Sequence, residues 1–203
     1  MPRIAEARAG AEPSSPRQHA RRRRILKAAE AIAAETGLER VQMHEVAKAS
    51  GVAIATLYRY FPSKTHLFTA VMAEQIERFG ARLPDRAPDS PPGDAVFAAL
   101  AGATRNLLRK PELATAMIQS ANAARATTVP DLARVDTGFQ DLLLRAWGVE
   151  EPTEQHRSRI RLLTLLWYGV LQSRLNERSS PAEADADLRM ACELLLAPEE
   201  DTG

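Results

Sequence analysis

Residues 40–68 read RVQMHEVAKASGVAIATLYRYFPSKTHLF, and the fold turns on how this stretch divides. Apolar residues at helical spacing predict two short helices, at about Met43–Ser50 and Ile54–Tyr60, joined by Ser50-Gly51-Val52-Ala53. Gly51 suits the turn because it accepts a positive φ without a Cβ clash. Ala47, four residues earlier, is small enough to let the helices cross closely, and Val46, Val52 and Leu57 supply apolar contacts between them. Pro62 halts the second helix, and Ser63 caps a third that carries Leu67, Phe68, Val71, Met72 and Ile76 inward. This is the sequence form of a helix-turn-helix. An ordinary αα-corner accounts for Gly51 and the apolar contacts equally well.

The corner does not account for Thr56-Leu57-Tyr58-Arg59-Tyr60-Phe61. Leu57 and Phe61 lie four apart and face inward, which directs Thr56, Arg59 and Tyr60 partly outward. Arg binds guanine bidentately, Thr meets base edges or a thymine methyl, and Tyr hydroxyls more often reach phosphate. Lys64 reaches the DNA backbone as a point charge, and the helix start at Gln42, Met43 and His44 offers phosphate its free N–H groups. With Ala55 and Tyr58, these residues form the candidate reading surface. Arg21, Arg22, Arg23 and Arg24 add positive charge where a first helix opens, unfavourably for its macrodipole. That cost suggests a basic arm for phosphate or the minor groove; a solvated helix end is the plainer reading.

The rest of the 203 residues also reads as helix. A first helix spans about Gln18 to Thr36 with Gly37 as its stop, and later ones fall at about 94–109, 112–124, 131–147, 153–178 and 182–196. Thr153 and Ser180 are the expected N-caps, Ser180 being followed by Pro181 and by Glu183 three residues on. LPDRAPDSPPG at 83–93 is the clearest loop. The expectation is an all-α chain: a disordered tail at 1–16, a three-helix DNA-binding domain at 17–66, and a ligand-binding and dimerisation bundle at 67–198.

Charge supports that division. Residues 1–66 carry twelve Lys/Arg against six Asp/Glu, and residues 67–203 carry fifteen against twenty, so +6 at one end hides under a net +1. A basic third on an acidic remainder fits a chain that meets a polyanion through one part only. The single cysteine excludes an intrachain disulfide framework, and no apolar run is long enough to span a bilayer. With no apolar segment of the secretory type at the N-terminus, a cytoplasmic location is expected. His19, His44, His66 and His156 show no metal-ligand pairing, and no nucleophile motif or phosphate-cradling loop is present, so neither an enzyme nor a bound cofactor or metal is expected.

GVAIATLYRYFPSK at 51–64 carries the pattern GV-x-x-x-TLY-x-YF-x-SK, and residues 18–68 resemble the DNA-binding domain of TetR-type transcriptional regulators. Many members place Ser or Thr where this chain has Ala53, so the cap of the reading helix is missing here. The resemblance implies three N-terminal helices for DNA and a C-terminal bundle that encloses a small molecule and forms a dimer. Within the family, VQM at 41–43, TLYRYFPSK at 56–64 and EPTE at 151–154 are similar to the KstR-type repressors of steroid and cholesterol catabolism. That implies a small hydrophobic effector of steroid or acyl-coenzyme A type and a homodimer on a palindromic double-stranded operator. A drug-efflux regulator of the same fold and a non-specific nucleic-acid-binding module are the rivals.

Leu100, Leu107, Met117, Phe139, Leu143, Trp147, Leu163 and Trp167 are the candidate ligand contacts, although each reads more readily as core. LLTLLWYGVLQ at 162–172 is too continuously apolar for one face of a monomeric surface helix. Leu166 and Val170 there, with Leu188, Cys192 and Leu195, are the candidate dimer contacts, and Gly169 suits a close helix crossing.

Overall fold

The computed structural model describes residues 10–84 and 91–197. Among these the chain runs α1 (Pro16–Arg40), α2 (Met43–Ser50), α3 (Ile54–Tyr60), α4 (Lys64–Gly80), α5 (Pro92–Leu108), α6 (Pro111–Ala123), α7 (Asp131–Trp147), α8 (Glu154–Leu175) and α9 (Pro181–Leu196), with no strand. The all-α expectation holds. The middle of the 83–93 loop, the first nine residues of the expected tail and the end of the expected bundle lie outside the described residues.

Local chemistry explains the helix ends. The Ser15 hydroxyl accepts from the Gln18 N–H at 3.3 Å, and Pro16 starts α1 where its missing N–H costs nothing. At Gly37 the backbone turns to φ 72°, ψ 165°, so regular helix stops where the sequence placed it, and a further turn follows to Arg40. Thr153 and Ser180 both form reciprocal capping boxes, with His156 and Glu183 respectively. Hydrogen bonding to Ser180 holds the Glu183 carboxyl below its ordinary range. In α8 the expected end at 178 is three residues late: the chain leaves the helix at Asn176, and Glu177 takes φ 55°.

Packing divides the chain into two compact units. One comprises the residues up to Arg78 with Lys110–Gly138; the other comprises Phe79–Arg109 with the residues from Phe139 on. The break differs from a division after residue 66, because α4, α6 and the first half of α7 group with α1 to α3, α6 through its packing on α1. In the first unit α1 lies along α6, with Ile25, Leu26, Ala29 and Ala33 of α1 and Leu113, Met117 and Ile118 of α6 buried. Ion pairs tie its elements together. Glu30 of α1 accepts from Arg78 of α4 at 2.8 Å and from Lys110 at 3.2 Å. Asp131 at the start of α7 takes both oxygens to Arg22 of α1, at 3.0 and 3.1 Å, and also pairs with Arg134, which reaches Glu77 of α4.

Burial disfavours the ionised Glu30 carboxylate, but hydrogen bonds from Arg78 and Lys110 outweigh it and hold its pKa below the ordinary 4.5. A group depressed in the folded chain stabilises it above the unfolded pKa and loses that contribution as pH falls through the folded one. Glu30→Gln is therefore expected to lower stability by about 1 kcal/mol at neutral pH. In denaturant titrations the gap from wild type should close as pH drops below 4.5; a gap independent of pH would mean that packing, not charge, is at work.

The second unit buries Leu100 of α5, Leu143 of α7, Ile160, Leu163 and Leu171 of α8, and Leu188 of α9. Trp167 stacks on Phe139 with centroids 4.6 Å apart, and its indole N–H donates to the Thr104 hydroxyl at 2.9 Å. A buried indole with its polar atom satisfied is a core device.

Candidate nucleic-acid interface

The helix-turn-helix is built by α2, α3 and a left-handed glycine between them. Gly51 has φ 67°, ψ 38°, and its N–H turns back to the carbonyls of Ala47 and Lys48. The Val52 N–H bonds the Ala47 carbonyl at 3.0 Å, completing a helix stop that an L side chain would strain. The space beyond Gly51 is open, so the glycine is required by its backbone rather than by crowding. Val46 and Leu57 are fully buried between the helices. No side chain caps α3, as Ala53 implied.

On α3 the inward stripe is Leu57, Tyr60 and Phe61, three and four residues apart. Tyr60 is only 4% exposed, which corrects the outward direction expected for it: its ring fills the third position of the buried stripe. Its hydroxyl has no hydrogen-bond partner among the described residues. Ala55, Tyr58 and Arg59 are exposed and Thr56 is half-buried, so four of the five proposed reading residues of α3 reach the surface. The Arg59 guanidinium lies 5.5 Å from the Tyr60 ring centroid, and the Arg59 carbonyl accepts the Ala11 N–H at 2.8 Å. That bond lies within the expected tail and engages residue 11 with the end of α3.

The remaining candidates divide. Gln42 and His44 are exposed at the start of α2, whereas the Met43 side chain is buried in the hydrophobic core. Lys64 donates to the carbonyls of Leu38 and Glu39, each at 3.2 Å. Carbonyls at a helix end lack helical partners, and the ammonium supplies one, so Lys64 holds the end of α1 instead of standing free. The arginines do not form an extended arm at a helix opening: α1 already starts at Pro16, which places Arg21 to Arg24 in its second and third turns. Arg23 and Arg24 are exposed; Arg22 is drawn to Asp131 and lies 5.5 Å over the Phe61 ring. His66, which no motif marked, is buried and joins the Ser63 hydroxyl to the Thr128 carbonyl, 2.9 Å on either side.

Seven of the eight expected ligand contacts are buried and one is half-buried. Leu100, Phe139, Leu143, Trp147, Leu163 and Trp167 are buried in the second unit, where Leu107 is half-buried, while Met117 is buried in the first. None of the eight lines the open groove of about 750 Å3 in the second unit. Two of the dimer candidates, Leu188 and Cys192, are buried within the single chain. Burial pushes the Cys192 thiol up to about 11, so it stays protonated. Leu166 is exposed, and Val170 and Leu195 are half-buried. The exposed apolar face consists of Leu162, Leu165 and Leu166 on α8 with Met190 and Leu194 on α9, and Gly169 opens onto empty space. Helical phase would have separated these residues from the buried stripe Ile160, Leu163, Trp167 and Leu171; their common hydrophobicity concealed it.

Comparison with known proteins agrees with the helix-turn-helix reading. Residues 25–71 match the model of bacterial regulatory proteins of the tetR family, and residues 90–195 match the tetracyclin repressor-like C-terminal domain. The chain is 37% identical to the HTH-type transcriptional repressor KstR of Rhodococcus jostii, over 90% of this chain and 86% of that one. It is 32% identical to KstR of Mycobacterium tuberculosis, over 97% of this chain and 88% of that one. A crystal structure of a TetR transcriptional regulator from Rhodococcus sp. RHA1 superposes with a TM-score of 0.84 at 53% identity, covering 92% of this chain and all of that one. The chain belongs to the TetR family of bacterial transcriptional regulators.

Proposed function

We propose that this regulator represses transcription as a homodimer on a palindromic operator and is released by a small hydrophobic effector of the steroid or acyl-coenzyme A class. The observation that carries the DNA half is the surface of α3, where Tyr58, Arg59 and Thr56 project from a helix anchored by Leu57 and Phe61. Arg23, Arg24, Gln42 and His44 add exposed groups for phosphate. The dimer half is supported by the apolar face of α8 and α9, which is too rich in leucine for a surface left in water. Its occupant is a second copy, since a palindrome read by two recognition helices about 34–36 Å apart requires two copies of one chain. The effector class is supported by the similarity to KstR over most of the chain. No described helix is long and apolar enough to cross a membrane, in keeping with a protein that works at DNA in the cytoplasm.

Selection of bound sequences from random duplexes by the purified full chain tests this reading. The expected result is an inverted repeat whose half-sites are one helical turn apart. Retention of duplexes without any shared sequence would overturn it and favour non-specific binding. The genes beside matching genomic sites then separate lipid or steroid catabolism from drug efflux.

A further inference from the structure

We propose that the open groove of the second unit is an anion site that receives the phosphate-bearing end of an amphiphilic ligand. This deepens the effector side of the function proposed above and rests on it. The groove has a volume of about 750 Å3, within the range of small-molecule sites. Four arginines line it: Arg82 after α4, Arg105 on α5, Arg109 just beyond α5, and Arg174 on α8. Among the described residues Asp185 is the one carboxylate on its wall.

That concentration runs against the local charge balance, because residues 67–203 carry more Asp and Glu than Lys and Arg. Arg174 is held by the Ser179 carbonyl, but Arg82, Arg105 and Arg109 form no ion pair among the described residues. Like charges gathered around one cavity repel each other, and a bound anion removes that repulsion. All four are arginine, whose planar fork suits the paired oxygens of a phosphate better than an ammonium does. The groove also has an apolar side formed by Phe79, Leu108 and Ala184. A free inorganic anion makes no use of that side, whereas an amphiphile with a phosphate end fits both.

Gly102 sits at the wall, where an added Cβ would come 3.4 Å from the Phe79 ring and 4.0 Å from the Arg105 guanidinium. Gly102 lines the groove and belongs to the second unit, whereas α3 belongs to the first, so Gly102→Leu tests occupancy by added volume while charge reversal tests it by electrostatics.

Isothermal titration of the full chain with coenzyme A, lauroyl-coenzyme A and laurate reads binding directly, without DNA. The expected result is that lauroyl-coenzyme A binds at least about tenfold tighter than laurate. Arg105→Glu combined with Arg109→Glu should remove at least about tenfold of that affinity and leave laurate within about twofold. Gly102→Leu should weaken lauroyl-coenzyme A as well. The proposal is overturned if neither coenzyme A compound binds wild type at about 1 mM, or if the reversed pair binds both as wild type does. Loss of laurate affinity alone would assign the groove to a carboxylate and also overturn the phosphate assignment. Operator selection by ligand-free wild type reports separately on the repressor reading, and unchanged DNA binding by the variants shows that they fold.

Discussion

Arg59→Ala is expected to weaken operator binding by about 2 kcal/mol, roughly thirtyfold, while random duplex DNA loses much less. Arg59 is exposed on α3 and pairs with no carboxylate among the described residues, so its guanidinium is available to a base edge. Leu57, which is fully buried, and Phe61 fix the helix from below, so the substitution removes a contact and leaves the scaffold alone. Arg23→Gln with Arg24→Gln provides the contrasting measurement. Both side chains are exposed on α1, and phosphate contacts there would weaken every duplex alike and lower the salt dependence by about one unit per contact. Fluorescence anisotropy with operator and scrambled duplexes across a salt series separates the two. Equal losses for Arg59→Ala on both duplexes would sink base readout by this residue.

The reading helix was legible because its signals are local. The left-handed turn at Gly51, the stop before Pro62 and the capping boxes at Thr153 and Ser180 depend on residues within a few positions of one another. What escaped the sequence depends on distant partners. Lys64 looks like a free cation until the carbonyls of Leu38 and Glu39, 26 and 25 residues away, are placed beside it. Arg22 likewise looks like its three neighbours until Asp131 claims it across 109 residues. Tyr60 was misdirected for a different reason: in a seven-residue helix the polar hydroxyl masked a ring whose helical phase puts it inside. The groove arginines leave no mark in the sequence, because residues 82, 105, 109 and 174 have no spacing that identifies them as one cluster.

The C-terminal half carries the second large effect. Leu165→Glu is expected to raise the dimer dissociation constant by roughly a thousandfold or more, because a carboxylate buried without a partner in an apolar interface costs about 4 kcal/mol. An interface between two copies related by a two-fold axis presents the same patch twice, so one substitution introduces two such charges. Leu165 is 63% exposed in the single chain, so the change leaves the core of its own subunit undisturbed. The single-chain fold should therefore survive, with the helical circular dichroism signal retained while sedimentation reports a monomer at micromolar concentration. Operator affinity should fall with it, since a monomer grips one half-site and forfeits the second. Trp167→Glu makes the control. Trp167 is 5% exposed and hydrogen-bonded to Thr104, so a charge there should unfold the second unit rather than part the subunits. A Leu165→Glu protein that remains dimeric, with operator affinity intact, would mean that the leucine face of α8 and α9 meets something other than a second copy of this chain.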